Sequence, residues 1–502
     1  MTIRHTQRTP RRLLAALTGG LALVAAGCSA SDEPSPSPTE QAEEHEHGDH
    51  DESEHDHEHD HEHGVTAGSL TEVAGIDPRL VLTFDGGIMV VDTAKREVIS
   101  TINQDGFLRL DEAGDGRHLF VANGNSFTLL DAGITEMPHG DHSHYFAGGP
   151  TLTDVTYPAI RSGHVVSNAG LTALFDDGAG QATVVHAGDL HDGTKPAHEH
   201  VVKAQHPHHG VAVPMRNHQL LMSVGTEDER TGVQLLDMDG DVLDSSDECP
   251  GIHGAAVAGE DGTAVGFGCS GGPVVFAKGA FHKIAAEGRS SGLYGSPASP
   301  VILANYTVGE EPSTEVALID TDALTLTTVD LGETYGWTSF ARGHDGDGLV
   351  LTHDGKLQVI DVDTGKVTAA IPVTGTWAEK DDWQEPNNTV VADGPIAYVT
   401  EVATKQLHLV DLTKGEVVET IDLPEVPNAV AVITGMVPAS VTLDHDDHDD
   451  LDDHDHEHGH DEHGDHEERS VHEEHGDLDD HGDHDGHEHG DHDHDGEGDA
   501  KH

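Results

Sequence analysis

Between residues 79 and 435 the chain repeats a single unit. Three short runs of Val, Ile and Leu, separated by Asp-Gly-type turns, are followed by a fourth run that leads into the next copy. The copies begin near Leu80, His118, His164, His218, Thr263, Val301, Leu349 and Ile396, about forty to fifty residues apart. The runs have the period of strands and show no 3.6-residue recurrence, which excludes a helical solenoid. A four-stranded unit of this length, repeated this often, is the pattern of a β-propeller. The segments VIDVDTGKV and LVDLTKGEVV resemble the propellers whose blades end in a D-x-x-T/K-G turn. The reading is therefore all-β: an eight-bladed, alternatively seven-bladed, β-propeller. The repeat opens on three strands and finishes on an unpaired one, Asn428 to Thr434. That last strand is expected to complete the first blade and close the ring, removing the free edges that invite aggregation.

Outside the repeat the composition changes. The 502 residues include 94 acidic and 25 basic side chains, a formal net charge of -69, and 44 His. Such a balance excludes nucleic acid as a partner and argues against polybasic docking on anionic lipid. Eight of the His lie between Glu43 and His63 and seventeen between Asp444 and His502, interleaved with Asp and Glu. Neither tract has the apolar residues to offset the entropy of folding, so both are expected to be disordered without metal. His-X-His with carboxylates between is a metal-binding composition suited to Zn, Cu or Ni. Many weak, overlapping sites are expected there, at His45, His47, His55, His57, His59, His61 and His63 and again at His454, His456 and His458.

Arg4, Arg8, Arg11 and Arg12 precede an apolar run, Leu13 to Ala26, that is too short for a good spanning helix and reads as an export signal. It ends in Ala25-Ala26-Gly27-Cys28, which resembles a bacterial lipoprotein cleavage box with Cys28 as the lipidated residue. The organisation expected is a signal peptide over 1–27, a Pro/Ser tether and His tract over 28–64, the propeller over 65–438 and an acidic His tail over 439–502. The protein is then extracytoplasmic, at the cell surface or in the periplasm, anchored through Cys28 and monomeric. The two remaining cysteines of an exported chain, Cys249 and Cys269, favour a disulfide.

The other His residues sort by their place in the repeat. Those opening an innermost strand face the channel mouth; those beside the turn that follows it lie on the opposite face. His118, His164 and His218 are placed by this rule as solvated rim residues. His209 and His253 share a His-Gly-x-Ala-Val opening on adjacent blades. The segment MPHGDHSHY, with His139, His142 and His144, is read as leading into the blade before them, with Asp154 or Val155 at the position of His208 or His209. One tight tetrahedral zinc site is expected from His142, His144, His209 and His253, with Asp154, His139 and His208 as further candidates. His186, His191, His198 and His200 form either an auxiliary site or a polar loop. No nucleophile elbow, phosphate loop or HExxH motif appears.

With these residues in view, the chain resembles the AztD family of zinc metallochaperones. The likeness covers roughly residues 43 to 435 and rests on the His tract, the HGDHSHY segment and the HPHHG and CPGIHG blade openings. It implies a non-enzymatic protein that holds Zn2+ outside the membrane and passes it to the solute-binding protein of a zinc ABC importer. The lipoprotein box and the long C-terminal tail depart from the family's soluble pattern. Two other readings stay open: a surface-anchored propeller interaction protein with incidental metal-binding tails, and a metal-dependent hydrolase.

Overall fold

The computed structural model describes residues 70–139 and 142–443. The signal segment, Cys28, the tether, the N-terminal His tract and the acidic tail from residue 444 onward lie outside the described residues.

Nine antiparallel sheets are present among the described residues, eight of them four-stranded. β1 is Thr71–Val73. The first four-stranded sheet is built from β2 (Arg79–Phe84), β3 (Gly87–Asp92) and β4 (Glu97–Asn103), and its fourth strand is Val430–Ile433 from the far end of the repeat. Leu80 pairs with Val432 and Val81 with Ala431, so the last strand closes the ring as its unpaired position in the repeat requires. The second sheet takes β5 (Arg109–Glu112), β6 (His118–Ala122) and β7 (Ser126–Asp131). A hairpin follows, β8 (Ile134–His139) and β9 (His142–Ala147), before the outermost strand β10 (Thr151–Pro158) completes that sheet. The hairpin and β1 form a separate three-stranded sheet. The third sheet is β11 (Ser162–Asn168), β12 (Leu171–Asp176), β13 (Gln181–His186) and β14 (His200–Lys203). The remaining five sheets open on innermost strands Ala212–Met215, Ala255–Ala258, Leu293–Ser296, Tyr335–Arg342 and Val390–Asp393.

The burial explains why the sequence pattern was strong. The two middle strands of each sheet are covered on both faces by neighbouring sheets, so β2 (RLVLTF) and β3 (GIMVVD) are almost wholly buried and read as continuous apolar runs. Outermost strands have one wet face and alternate, as in Glu416–Asp422 (EVVETID). The turns before two of these outer strands follow one plan. Oδ1 of Asp361 accepts the N–H groups of Asp363 and Thr364, and Asp411 does the same for Thr413 and Lys414. Gly365 and Gly415 follow at φ of 64° and 69°, where a side chain is disfavoured.

Two expectations fail at the second and third sheets. The segment around His139–His144 does not lead into a blade; it is the hairpin inserted between β7 and β10. The insertion breaks the four-strand rhythm, so His164 lies in the innermost strand β11 rather than at the start of the strand after it. His118 is not a solvated rim residue either. It is fully buried, with Nδ1 2.6 Å from Asp115 Oδ2 and a buried Arg117–Asp131 ion pair beside it. No helix among the described residues is long and apolar enough to cross a membrane.

Candidate metal centres

Three consecutive sheets each bring one imidazole to the same place. His164 comes from β11, His209 from the loop before Ala212–Met215, and His253 from the loop before Ala255–Ala258. One ring nitrogen of each lies within 4.8 Å of the other two. The ring centroids are 5.0 Å (164–209), 5.5 Å (164–253) and 5.2 Å (209–253) apart.

The surroundings settle which nitrogen faces inward. Nδ1 of His209 is 2.6 Å from Oδ2 of the buried Asp177. Nδ1 of His253 is 3.0 Å from the carbonyl oxygen of Ser291. Both partners only accept, so each Nδ1 carries the proton and each Nε2 is left with a lone pair. Nε2 of His164 is buried and has no hydrogen-bond partner among the described residues. Such a trio could hold a metal ion, with two of its rings oriented by a carboxylate and a carbonyl.

Local sequence makes the geometry possible. Gly163 lies against Asp177, and a Cβ there would meet Oδ1 at 2.2 Å. Oδ1 of Asp177 also accepts the Gly210 N–H, tying the loop of His209 to the third sheet. Cys249 and Cys269 form a disulfide, both sulfurs buried, with Cα atoms 5.0 Å apart. The N–H of His253 donates to Gly268 O beside it, so the bridge fixes the loop that presents His253.

The electrostatics favour neutral rings. Burial holds His164 well below the ordinary imidazole pKa, and the neighbouring His209, His253, Arg109 and Arg230 add to the effect. His253 is lowered by burial first; its bond to Ser291 opposes this, and His209, Arg230 and Arg289 reinforce it. Neutral imidazole is the form that ligates a metal.

A second group lies on the hairpin. His139, His142 and His144 also bring one nitrogen each within 4.8 Å of one another, but at the surface. Nε2 of His142 is 3.2 Å from Nε2 of His144. That is about the separation of two ligands on one tetrahedral zinc, given Zn–N bonds of about 2.0–2.1 Å. Nδ1 of His144 is 2.7 Å from Oε1 of Glu72 on β1.

The two groups occupy opposite ends of the sheets. The start of β11 sits by the β6–β7 turn, where the Ser162 N–H donates to Gly124 O and the Gly124 N–H to Ser162 Oγ. The hairpin leaves β7 at its other end, where the Glu136 N–H donates to Gly435 O just past the closing strand. The six residues of β7 separate them by about 20 Å. A single site made of His142, His144, His209 and His253 is therefore not formed. Asp154 is exposed on the outermost strand β10 and joins neither group. His208 is fully buried and already engaged, Nδ1 with His206 O and Nε2 with Ser223 Oγ, both at 2.9 Å. It anchors the loop of its neighbour rather than adding a ligand.

His164 and Asp177 are the residues the sequence reading missed. His164 follows its glycine, whereas His209 and His253 precede theirs, so it does not fit the shared motif. The signal available was the Gly163-His164 pair at the head of an apolar run, once the hairpin is recognised as an insertion.

No family model matches the chain. The zinc chaperone AztD of Citrobacter koseri is 26% identical over 377 residues, covering 72% of this chain and 87% of the relative. The crystal structure of Citrobacter koseri AztD superposes with a TM-score of 0.64 at 23% identity, covering 71% of this chain and 98% of that one. The structure of apo AztD from Citrobacter koseri gives 0.63 at 22% identity, covering 72% and 98%. At these identities the solved structures speak for the fold. Together with the sequence match they bear out the resemblance to the AztD family.

Proposed function

We propose that this AztD-type chain is an extracytoplasmic zinc chaperone, which holds zinc on His164, His209 and His253 and passes it to the solute-binding protein of a zinc ABC importer. The observation that carries this reading is the convergence of three imidazoles from three sheets, two of them with Nδ1 locked by Asp177 and Ser291. The relative's description as a zinc chaperone supports zinc as the cargo.

Three protein ligands leave one tetrahedral position free. An incoming imidazole or carboxylate of the recipient can bind there before any of the three lets go, so zinc passes by stepwise ligand exchange without being released to water. His209 is the ligand a recipient reaches first in this scheme, because its side chain is 39% exposed; its Nε2 leaves the metal only as the incoming ligand takes over. The disulfide-braced loop of His253 and the half-buried innermost strand of His164 hold on longest. The exposed hairpin trio with Glu72 is a second, looser zinc position at the opposite end of the ring. The His tracts at 43–63 and 444–502 collect zinc near the fold and raise its local concentration by tethering. Cys28 anchors the assembly to the membrane.

The test is a zinc titration of the full chain against a competing chelator. His164→Ala and His253→Ala are each expected to remove the tightest equivalent while leaving the weaker ones. Retention of that equivalent in both variants refutes the assignment.

A further inference from the structure

From the end of β13 to the start of β14 the chain carries four histidines, and the fold sends them to different places. The loop between the strands is pinned by His191, whose Nε2 is 2.9 Å from Thr135 Oγ1 at the root of the hairpin. His200 opens β14. His186 and His198 instead line a cavity of about 600 Å3, together with His218 from the turn after Ala212–Met215. β13 holds in the third sheet the place that β7 holds in the second. Its last residue, His186, therefore stands at the hairpin's end of the ring, away from the central trio.

The ring centroids of His186 and His218 are 5.9 Å apart. The three pairs within the hairpin group span 5.0 to 6.0 Å. The rings of His186, His198 and His218 make no hydrogen bond or ion pair among the described residues, unlike those of His191 and His208. Their nitrogens converge less closely than in the other two groups. All three residues are exposed, so side-chain rotation alone can close them on an ion. Asn217 and His218 hold φ of 65° and 54°, where glycine is favoured. An imidazole kept at such a position is a mark of a functional turn. The rest of the wall is fitted closely: at Gly170 and Gly188 a Cβ would run into the carbonyl oxygens of Ser440 and Thr442, both of which line the cavity. Asp189 is the one carboxylate and Arg216 the one guanidinium among the described lining residues, and Arg216 Nε donates to Asp261 O. Those two charges offset each other, so the affinity of the cavity for a cation comes from its imidazoles, which suit zinc and its neighbours.

We propose that His186, His198 and His218 form a third zinc-binding position, built across the third and fourth sheets at the end of the ring opposite the central trio. His186 and His218 are the anchoring pair, and His198 closes on the ion from the pinned loop. Water fills the remaining position, so the site is open and exchanges its zinc readily. It is separate from the hairpin group and does not depend on the trio being the tight site.

The experiment treats the full chain with diethylpyrocarbonate, which acylates free imidazole nitrogens, over a titration with Zn2+, and reads each histidine by peptide mass spectrometry. Site-by-site reading keeps the many histidines of the tracts from obscuring the result. The comparison is with His218→Gly, which removes the imidazole where the backbone conformation already favours glycine and so leaves the fold undisturbed. In the wild type, His186, His198 and His218 are expected to lose their reactivity together over one range of zinc concentration. In His218→Gly, His186 and His198 are expected to stay reactive over that range. A wild-type His186 that remains reactive throughout the titration overturns the proposal. So does protection of His186 in His218→Gly at the same zinc concentration as in the wild type, because the two rings would then not share an ion.

Discussion

Nδ1 of His209 lies 2.6 Å from Oδ2 of Asp177, a carboxylate that is itself only 3% exposed. A buried acceptor of this kind fixes the ring and makes Nε2 a stronger ligand. Removing such a partner costs about 10- to 100-fold in metal affinity. Asp177→Ala is expected to weaken the tightest zinc equivalent by that factor without changing the number of zinc ions bound, as read by chelator competition. Gly163→Ala should have a similar effect from a position that touches no metal, because its Cβ would displace the same carboxylate.

The acid response of the central site follows from its lowered imidazoles. The folded pKa of His164 is well below the ordinary value of about 6.5, with burial the main cause, so a proton competes with zinc at this ring only after the pH has fallen well past that value. Chelator competition is expected to show the tightest equivalent nearly unchanged between pH 7 and pH 6. The sign is opposite for the metal-free fold. Below about pH 6.5 an unfolded chain takes up a proton that folded His164 refuses, so metal-free stability falls with pH in that window. Thermal melting across pH 5 to 8, with and without zinc, checks both halves; a metal-free melting temperature that rises on acidification contradicts them.

Separation of the two His groups by the length of β7 gives a prediction about the hairpin. The triple variant His139→Ala/His142→Ala/His144→Ala is expected to keep the tightest equivalent and to lose one weaker one. Isothermal titration of the full chain distinguishes this from a shared site, in which the tightest equivalent would vanish.

The disulfide adds a fourth expectation. Closing a loop of twenty residues contributes about 3 kcal/mol by the chain-entropy model. Cys249→Ser/Cys269→Ser should lower stability by roughly that amount and also weaken zinc binding, since the His253 N–H is bonded to Gly268 O within the bridged loop. Denaturant unfolding and chelator competition on the same variant measure the two effects. A loss of stability with undiminished affinity would mean that the loop of His253 keeps its shape without the bridge.

The propeller pattern was legible because the middle strands, packed on both faces, must be apolar along their whole length. β2 and β3 announce themselves, and the unpaired Val430–Ile433 strand could only belong with them. Half of the central site was legible for a similar reason, since His209 and His253 open neighbouring strands with the same His-Gly-x-Ala-Val words. His164 was hidden by the β8–β9 insertion, which shifts the strand count by one across the second and third sheets and made a hairpin look like the start of a blade. Asp177 was not legible at all. It lies 32 residues before His209 and acquires meaning only when neighbouring sheets bring the two together.

The ring is fastened by a strand from near the end of the repeat lying against one from its beginning. During synthesis the three central imidazoles leave the ribosome well before Val430–Ile433 does, so the nascent chain carries its ligands while β2 still has an open edge. Any truncation that removes this closing strand leaves an adhesive edge on an otherwise finished molecule. Such a fragment is expected to be lost to self-association even though every zinc ligand in it is intact.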